Sequence, residues 1–225
     1  MGEKRDLKAG VGFLLAFLLW TILISRIDVQ AAGPNGSEVG FAAFNMWFHH
    51  LTGVHLALYT LTDWVELLAI GVCAAFGVLG AVQAVRRRSL LRVDRDIILL
   101  GVYYLLVILF FLFFELFPVN YRPVLIEGVL EASYPSSTTL LVLSVMPTLR
   151  LQSDRRVKSP RLRKAVGWFV LLFSLFMVAG RLVSGVHWAT DIIGAVLLSR
   201  GLFLLYRHWV RLGDQNRDVV RDAED

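Results

Sequence analysis

The sequence has 225 residues, of which 56% are hydrophobic, and its mean hydropathy is +0.63. Soluble domains of this length do not carry repeated apolar stretches of about twenty residues, so the composition excludes an ordinary water-soluble fold. It indicates one all-α membrane domain over residues 1–225. The lone cysteine, Cys73, excludes a disulfide within the chain.

Six apolar runs are long enough to cross about 30 Å of hydrocarbon, and each must be helical because lipid offers no partner for a free backbone group. In chain order, the predicted spans are residues 9–25, 65–85, 96–117, 136–150, 165–183 and 190–209. The fourth run is short, and Pro147 interrupts its end.

The first span has an alternative interpretation as a signal peptide. Three basic residues precede it, and residues 29–31 loosely resemble a cleavage site. The run is longer than the apolar region of a signal peptide, which spans about 7–15 residues, and its length therefore favours a span.

Residues 41–60 are apolar but also contain Asn45, Trp47, Tyr59 and three histidines. Aromatic and polar side chains mixed in this way are typical of a helix that lies in the membrane interface. The sequence therefore predicts an interfacial helix there.

Lys and Arg are concentrated on one side of the predicted bundle. Twenty of the 23 lie on that side, and only Arg26, Arg122 and Arg181 lie on the other. The four basic segments are residues 1–8, 86–95, 150–164 and 200–221. The positive-inside rule then places both termini in the cytoplasm, most simply at the cell membrane. Topology and attraction to anionic lipid explain the net charge of +5, and nucleic acid is not expected as a partner.

Polar residues form three clusters at the outer ends of the predicted spans. They are Arg122 after the third span, Pro135-Ser136-Ser137-Thr138 at the start of the fourth, and Arg181, His187 and Asp191 between the fifth and sixth. Charged groups are costly near a bilayer and usually functional there. Because all three clusters fall on one face of the membrane, we expect them to form one outward-facing site.

The spacing of His187 and Asp191 places both on one face of a helix. A carboxylate in that position can keep one imidazole nitrogen protonated and leave the other free to attack. The alternative is an interfacial His-Trp pair with Asp191 as a charge at the helix start.

Arg122 and Arg181 offer fork-shaped donors that match phosphate oxygens, although both could also be anchors at the interface. Residues 136–138 begin a helix, where free N–H groups and hydroxyls bind anions; ordinary N-capping is compatible with that role. The candidate phosphate ligands are Arg122, Ser136, Ser137, Thr138 and Arg181.

The third cluster resembles the R-x5-H-x3-D signature of the type 2 phosphatidic acid phosphatase superfamily, membrane lipid phosphatases whose phosphate site is shared with vanadium haloperoxidases. The motifs that carry the resemblance lie at about residues 115–191. They belong to a motif-bearing core of spans at about residues 96–209. It implies an all-α six-span bundle, His187 as the nucleophile that forms a phosphohistidine, Asp191 as its orienting partner, and no metal or other cofactor. The implied substrates are lipid phosphates and polyprenyl diphosphates.

Two positions depart from the family pattern. Glu115 stands where the first motif has a lysine, and Thr138 stands where the second motif has the histidine that protonates the leaving oxygen. Threonine cannot replace that acid near neutral pH, and general acid catalysis is typically worth about 10²–10⁴-fold.

Three explanations follow from this departure. Another residue could supply the proton, with Glu115, Glu131 and His55 as candidates. A lipid diphosphate could be the substrate, because its leaving group needs little protonation. The protein could also bind lipid phosphate without turning it over. The sequence thus predicts a lipid phosphate or diphosphate phosphatase, with a degenerate lipid-phosphate-binding protein or a lipid phosphotransferase as alternatives.

Overall fold

A computed structural model describes the backbone of residues 2–224 and the side chains of residue 2 and residues 4–215. Within this range the chain folds into seven α-helices and two short 3₁₀ turns. The helices are α1 Gly2–Ile24, α2 Ala42–Thr52, α3 Leu56–Arg86, α4 Arg95–Leu116, α5 Ser137–Arg156, α6 Pro160–Val183 and α7 Ala189–Glu224.

Five of the described helices are long and apolar enough to cross a membrane, which confirms the predicted all-α membrane fold. They are Lys4–Ile24, Leu56–Arg86, Arg95–Leu116, Pro160–Val183 and Ala189–Gln215. The run predicted as the fourth span forms α5, which is less apolar and ends in a charged turn. Because α5 packs against α3, α4, α6 and α7, its interior position removes the need for a lipid-facing apolar surface.

The core of the bundle forms where α7 packs against α1, α4 and α5. Leu198 of α7 is fully buried in a cluster that includes Phe17 of α1 and Leu100 of α4. Apolar side chains on the outer surface, such as Leu106 and Leu172, are exposed, as expected for a protein whose surroundings are as apolar as its core.

The segment predicted as one interfacial helix at 41–60 is divided in two. Helix α2 ends at Thr52, Gly53 follows with a φ of 72°, and α3 begins at Leu56. A positive φ is readily adopted only by glycine, so Gly53 provides the break. The position of α2 at a membrane interface stays a prediction.

The alternating direction of the helices divides the bundle into two chemically different ends. At one end lie the loops 117–136 and 184–188, together with α2. At the other end, arginines pair with buried carboxylates: Arg156 lies 2.8 Å from Asp96, and Arg211 lies 2.7 Å from Asp6. The three polar clusters therefore share the first end, and the basic loops lie at the second.

Candidate phosphate site

Arg122 is held by the loop that follows α4. Its backbone N–H donates to the carbonyl of Glu131 at 3.0 Å, and Ser133 N–H donates to the carbonyl of Asn120 at 2.9 Å. The side chain of Arg122 is buried, and its Nε lies 2.9 Å from the Glu131 carboxylate. Nη1 of Arg122 has no hydrogen-bond partner among residues 4–215.

The predicted anion-binding turn lies at the start of α5. The Ser136 hydroxyl donates to the Thr139 hydroxyl at 3.1 Å, and Ser136 N–H reaches the carbonyl of Asp191 at 3.3 Å. Ser136 therefore joins the starts of α5 and α7, whereas Ser137 lines a cavity. The first N–H groups of a helix lack partners within the helix and are available to an anion there.

Arg181 is almost fully buried at the C-terminal end of α6, with 2% of its surface exposed. Its Nη2 donates to Asp63 at 2.7 Å and to the Thr138 hydroxyl, and its Nη1 donates to Thr62 at 3.4 Å. Nε of Arg181 has no hydrogen-bond partner among the described residues. The Asp63 carboxylate is partly exposed, and its 2.7 Å ion pair orients the buried guanidinium.

The two arginines meet on one aromatic ring. The guanidinium carbon of Arg181 lies 4.7 Å from the centroid of Tyr59, and that of Arg122 lies 5.6 Å from it. Two like charges this close repel each other in a site of low polarity. An anion bound between them would relieve that repulsion.

His187 lies in the short loop between α6 and α7 and is 3% exposed. Its Nδ1 lies 3.2 Å from the backbone carbonyl of Ser133. A carbonyl only accepts, so Nδ1 carries the proton. Nε2 keeps its lone pair and has no partner among the residues that the structure describes. Burial lowers the pKa of His187 from 6.5 to about 4, so the imidazole is neutral at pH 7.

Asp191 is fully buried, and its Oδ2 lies 3.8 Å from Nδ1 of His187, beyond hydrogen-bond length. The carboxylate instead accepts from the backbone N–H of Trp188 at 2.9 Å and from the Asn120 side chain at 3.3 Å. Asp191 therefore holds the start of α7 and places a negative charge near the imidazole.

Two residues of α2 position the loop that carries His187. Asn45 donates to the Thr190 hydroxyl at 2.9 Å, and His49 Nε2 lies 3.1 Å from the carbonyl of Gly185. The sequence did not predict these contacts. Asn45 was the available signal, because a buried amide in an apolar segment needs hydrogen-bond partners.

Two adjoining cavities open at this end of the bundle. The first has a volume of about 240 Å³. It is lined by Phe111, Phe114, Glu115, Arg122, Glu131, Ala132, Ser133, Tyr134, Pro135, Ser137 and His187. The second, of about 290 Å³, shares Phe111 and Ser137 with the first and is mostly apolar. It is lined by Glu66, Ile70, Val107, Ile108, Phe111, Ser137, Thr138, Leu140 and Leu141.

The candidate acids differ in position. Glu115 and Glu131 line the first cavity. His55 is exposed, lines neither cavity, and has its Nε2 against the carbonyl of Thr52 at 2.8 Å. Glu66, which was not among the candidates, lines the second cavity beside Thr138. Its signal in the sequence was a carboxyl inside a predicted span, which by default suggests a functional site.

Comparison with known proteins identifies the family of this chain. None of the curated proteins matches the sequence significantly. The fold is similar to the crystal structure of the first transmembrane PAP2 type phosphatidylglycerolphosphate phosphatase from Bacillus subtilis, with a TM-score of 0.64 and 17% sequence identity over 90% of this chain and 96% of that one. The sequence profile of the PAP2 superfamily matches residues 99–213, just over half of the chain and all three polar clusters. The chain therefore belongs to the PAP2 superfamily.

Proposed function

We propose that this protein hydrolyses a lipid phosphate or lipid diphosphate through a phosphohistidine on His187. One observation carries the proposal: Nε2 of His187, Nη1 of Arg122 and Nε of Arg181 are all buried and have no hydrogen-bond partner within the part of the chain that the structure describes. Unpaired buried polar groups are costly and are normally satisfied. Two cationic donors and one nucleophile without partners, gathered at one end of the bundle, are the groups that phosphoryl transfer needs.

In the proposed reaction, Nε2 of His187 attacks phosphorus while Nδ1–H donates to the Ser133 carbonyl. Arg122, Arg181 and the N–H groups at the start of α5 stabilise the negative charge on the transferring group. The Asp191 charge near the ring stabilises the imidazolium that forms.

The second cavity supports a lipid substrate. Its apolar walls adjoin the phosphate site through Phe111 and Ser137, so a chain attached to the phosphate has an apolar place to lie. We further propose that α5 completes a six-span bundle, that the site faces outward and that both termini are cytoplasmic, as the distribution of basic residues indicates.

Purified protein in lipid nanodiscs tests the function directly. We expect phosphate release from at least one member of a panel of lipid monophosphates and lipid diphosphates, and no release after His187→Ala. His50→Ala is the matched control, because His50 is exposed on α2 and should be dispensable. During turnover, a base-stable, acid-labile phosphate label should appear on the native protein and be absent from His187→Ala.

Two other results would favour different functions. Lipid-phosphate binding that depends on Arg122 and Arg181 without any turnover would indicate a degenerate binder. Transfer of the phosphoryl group to an added alcohol in preference to water would indicate a phosphotransferase.

A further inference from the structure

A carboxyl group lies near the position where the family has its acid histidine. Thr138 occupies that position, and its hydroxyl accepts a hydrogen bond from Arg181. Because the oxygen is used as an acceptor, the hydroxyl hydrogen is free to point elsewhere. Glu66 and Thr138 line the same cavity, the second one.

Glu66 comes from α3, three residues after Asp63, so the two carboxyl groups lie on one face of that helix. Asp63 is committed to Arg181 at 2.7 Å. The Oε2 atom of Glu66 is buried and has no hydrogen-bond partner in the described range of the chain. Glu66 is therefore the carboxyl group beside Thr138 that retains a free oxygen.

The charged groups around Glu66 bear on its protonation when a phosphate is bound. Each arginine of the site already has a carboxylate partner: Arg181 has Asp63, and Arg122 has Glu131 at 2.9 Å. A further carboxylate at Glu66 beside a phosphate would add like-charge repulsion in a poorly hydrated site, which favours the neutral acid. A neutral carboxylic acid has an O–H to donate.

The two cavities place this acid on the side of the leaving group. His187 lines the first cavity, and Glu66 lines the second, apolar one. In an in-line transfer the nucleophile and the leaving oxygen lie on opposite sides of phosphorus. A lipid in the second cavity would bring its leaving oxygen to Glu66.

Building on the proposed function, we propose that Glu66 is the general acid of this enzyme and takes the place of the histidine absent at Thr138. As Nε2 of His187 forms its bond to phosphorus, the P–O bond to the leaving group breaks and the Glu66 proton passes to the leaving oxygen. Water then attacks the phosphohistidine, its proton passes to the Glu66 carboxylate, and the P–N bond breaks. Both residues return to their starting states.

This proposal changes the expected substrate range. A site without an acid should strongly prefer lipid diphosphates, whereas a site with Glu66 as the acid hydrolyses lipid monophosphates as well. Glu66→Gln should then convert the enzyme into one that prefers diphosphates.

The test is a series of aryl phosphates of graded leaving-group pKa, assayed with the protein in nanodiscs together with one lipid monophosphate and one lipid diphosphate. With Glu66→Gln we expect kcat/KM, which reports the transfer to His187 and not the later hydrolysis of the phosphohistidine, to fall about 100-fold or more for the poorest leaving groups, the typical scale of general acid catalysis, and to change little for the best ones. Glu115→Gln and Glu131→Gln are matched controls, because both residues line the first cavity and neither should steepen the dependence on the leaving group.

A second variant separates chemistry from folding. Thr138→His combined with Glu66→Gln restores an acid at the family position and should recover turnover of poor leaving groups, which a purely structural role of Glu66 would not predict. If Glu66→Gln does not fold, the native protein still tests whether the site contains an acid. A shallow dependence of its rate on leaving-group pKa supports an acid, and a steep dependence excludes one.

The results distinguish failure of this inference from failure of the proposed function. Turnover that depends on His187, with kcat/KM equally reduced by Glu66→Gln for all leaving groups, would overturn the role of Glu66 as the acid. A steepened dependence in Glu115→Gln or Glu131→Gln would assign the acid to that residue instead. No turnover of any substrate by the native protein would contradict the proposed function, and the role of Glu66 with it.

Discussion

The His187 imidazole is held in one tautomer by a backbone carbonyl. Ser133 offers that carbonyl at 3.2 Å from Nδ1, and the Asp191 carboxylate lies farther away at 3.8 Å. A carbonyl fixes the position of the proton without adding charge, whereas Asp191 adds charge without direct contact. The two functions expected of one carboxylate are thus divided between two residues.

This division predicts different effects for two substitutions of Asp191. Asp191→Asn retains an oxygen for the Trp188 N–H and loses the weaker bond from Asn120, so it should be less destabilised than Asp191→Ala. It also loses the negative charge near the imidazole, so kcat should fall. Asp191→Ala also removes the acceptor at the start of α7 and should cost about 1 kcal/mol or more of stability. Steady-state kinetics and thermal unfolding in nanodiscs measure both. Equal unfolding temperatures for the two variants would contradict the structural role.

The low pKa of His187 predicts how stability depends on pH. Burial lowers this pKa from 6.5 to about 4, so the folded protein resists protonation that the unfolded chain accepts. The stabilisation is therefore complete above about pH 6.5 and is lost as the pH falls towards 4, by an amount on the order of 3 kcal/mol.

His187→Asn provides the matched control, because it is polar and does not titrate. Unfolding of the native protein and of this variant should be compared between pH 8 and 4. We expect the native protein to lose stability relative to the variant below pH 6.5, and parallel curves would show that burial does not perturb the imidazole.

At the level of elements, the loop between α6 and α7 depends on one close backbone approach. Gly185 has a φ of 71°, and a Cβ at this position would collide with the carbonyl oxygen of Gly53. The loop carrying His187 is thus packed directly against the break between α2 and α3. A side chain at Gly185 would therefore displace His187.

Gly185→Ala should therefore lower activity, on the order of 100-fold for a displacement of about 1 Å, as well as stability. Gly36→Ala is the control for backbone strain alone, since Gly36 has a φ of 74° and a methyl group there would meet no other atom within 4 Å. It should lose about 1–2 kcal/mol and keep its activity. Similar activity in both variants would show that the contact with Gly53 is unimportant for positioning His187.

The sequence pattern predicted the lipid-facing helices better than it predicted the interior helix and the break between α2 and α3. Long apolar runs located α1, α3, α4, α6 and α7, because a lipid-facing helix must be apolar along its length. The interior helix α5 escapes this rule, and its polar side chains weaken the signal. The break at Gly53 depends on local geometry that composition does not reveal.

The same distinction applies to the site. Arg122, Arg181 and His187 could be found because ionisable residues at the ends of apolar spans are conspicuous. The proximity of Glu66 to Thr138 could not be found in this way, because the two residues lie on α3 and α5 and share a cavity only through the packing of the bundle. Long-range packing of this kind leaves no periodic trace in one sequence.

On the scale of the whole molecule, the two ends of the bundle differ in the donors that they leave without partners. Arginines pair with carboxylates at both ends, as Arg181 does with Asp63 and Arg156 with Asp96, but the first end also has a cavity and buried guanidinium nitrogens without partners among the described residues. A basic end attracts anionic lipid headgroups at the cytoplasmic surface, and a cavity at the opposite end would face outside.

This asymmetry predicts the orientation of the protein in the cell membrane. Single cysteines at Val129, exposed in the loop after α4, and at Lys158, exposed between α5 and α6, mark the two ends in a Cys73→Ala background. A membrane-impermeant thiol reagent applied to intact cells should label Val129→Cys and leave Lys158→Cys unmodified until the membrane is opened. The physical reason is that the basic loops, including the one with Lys158, are retained in the cytoplasm during insertion. Labelling of Lys158→Cys in intact cells, with Val129→Cys protected, would place the phosphate site in the cytoplasm and exclude lipids of the outer leaflet as its substrates.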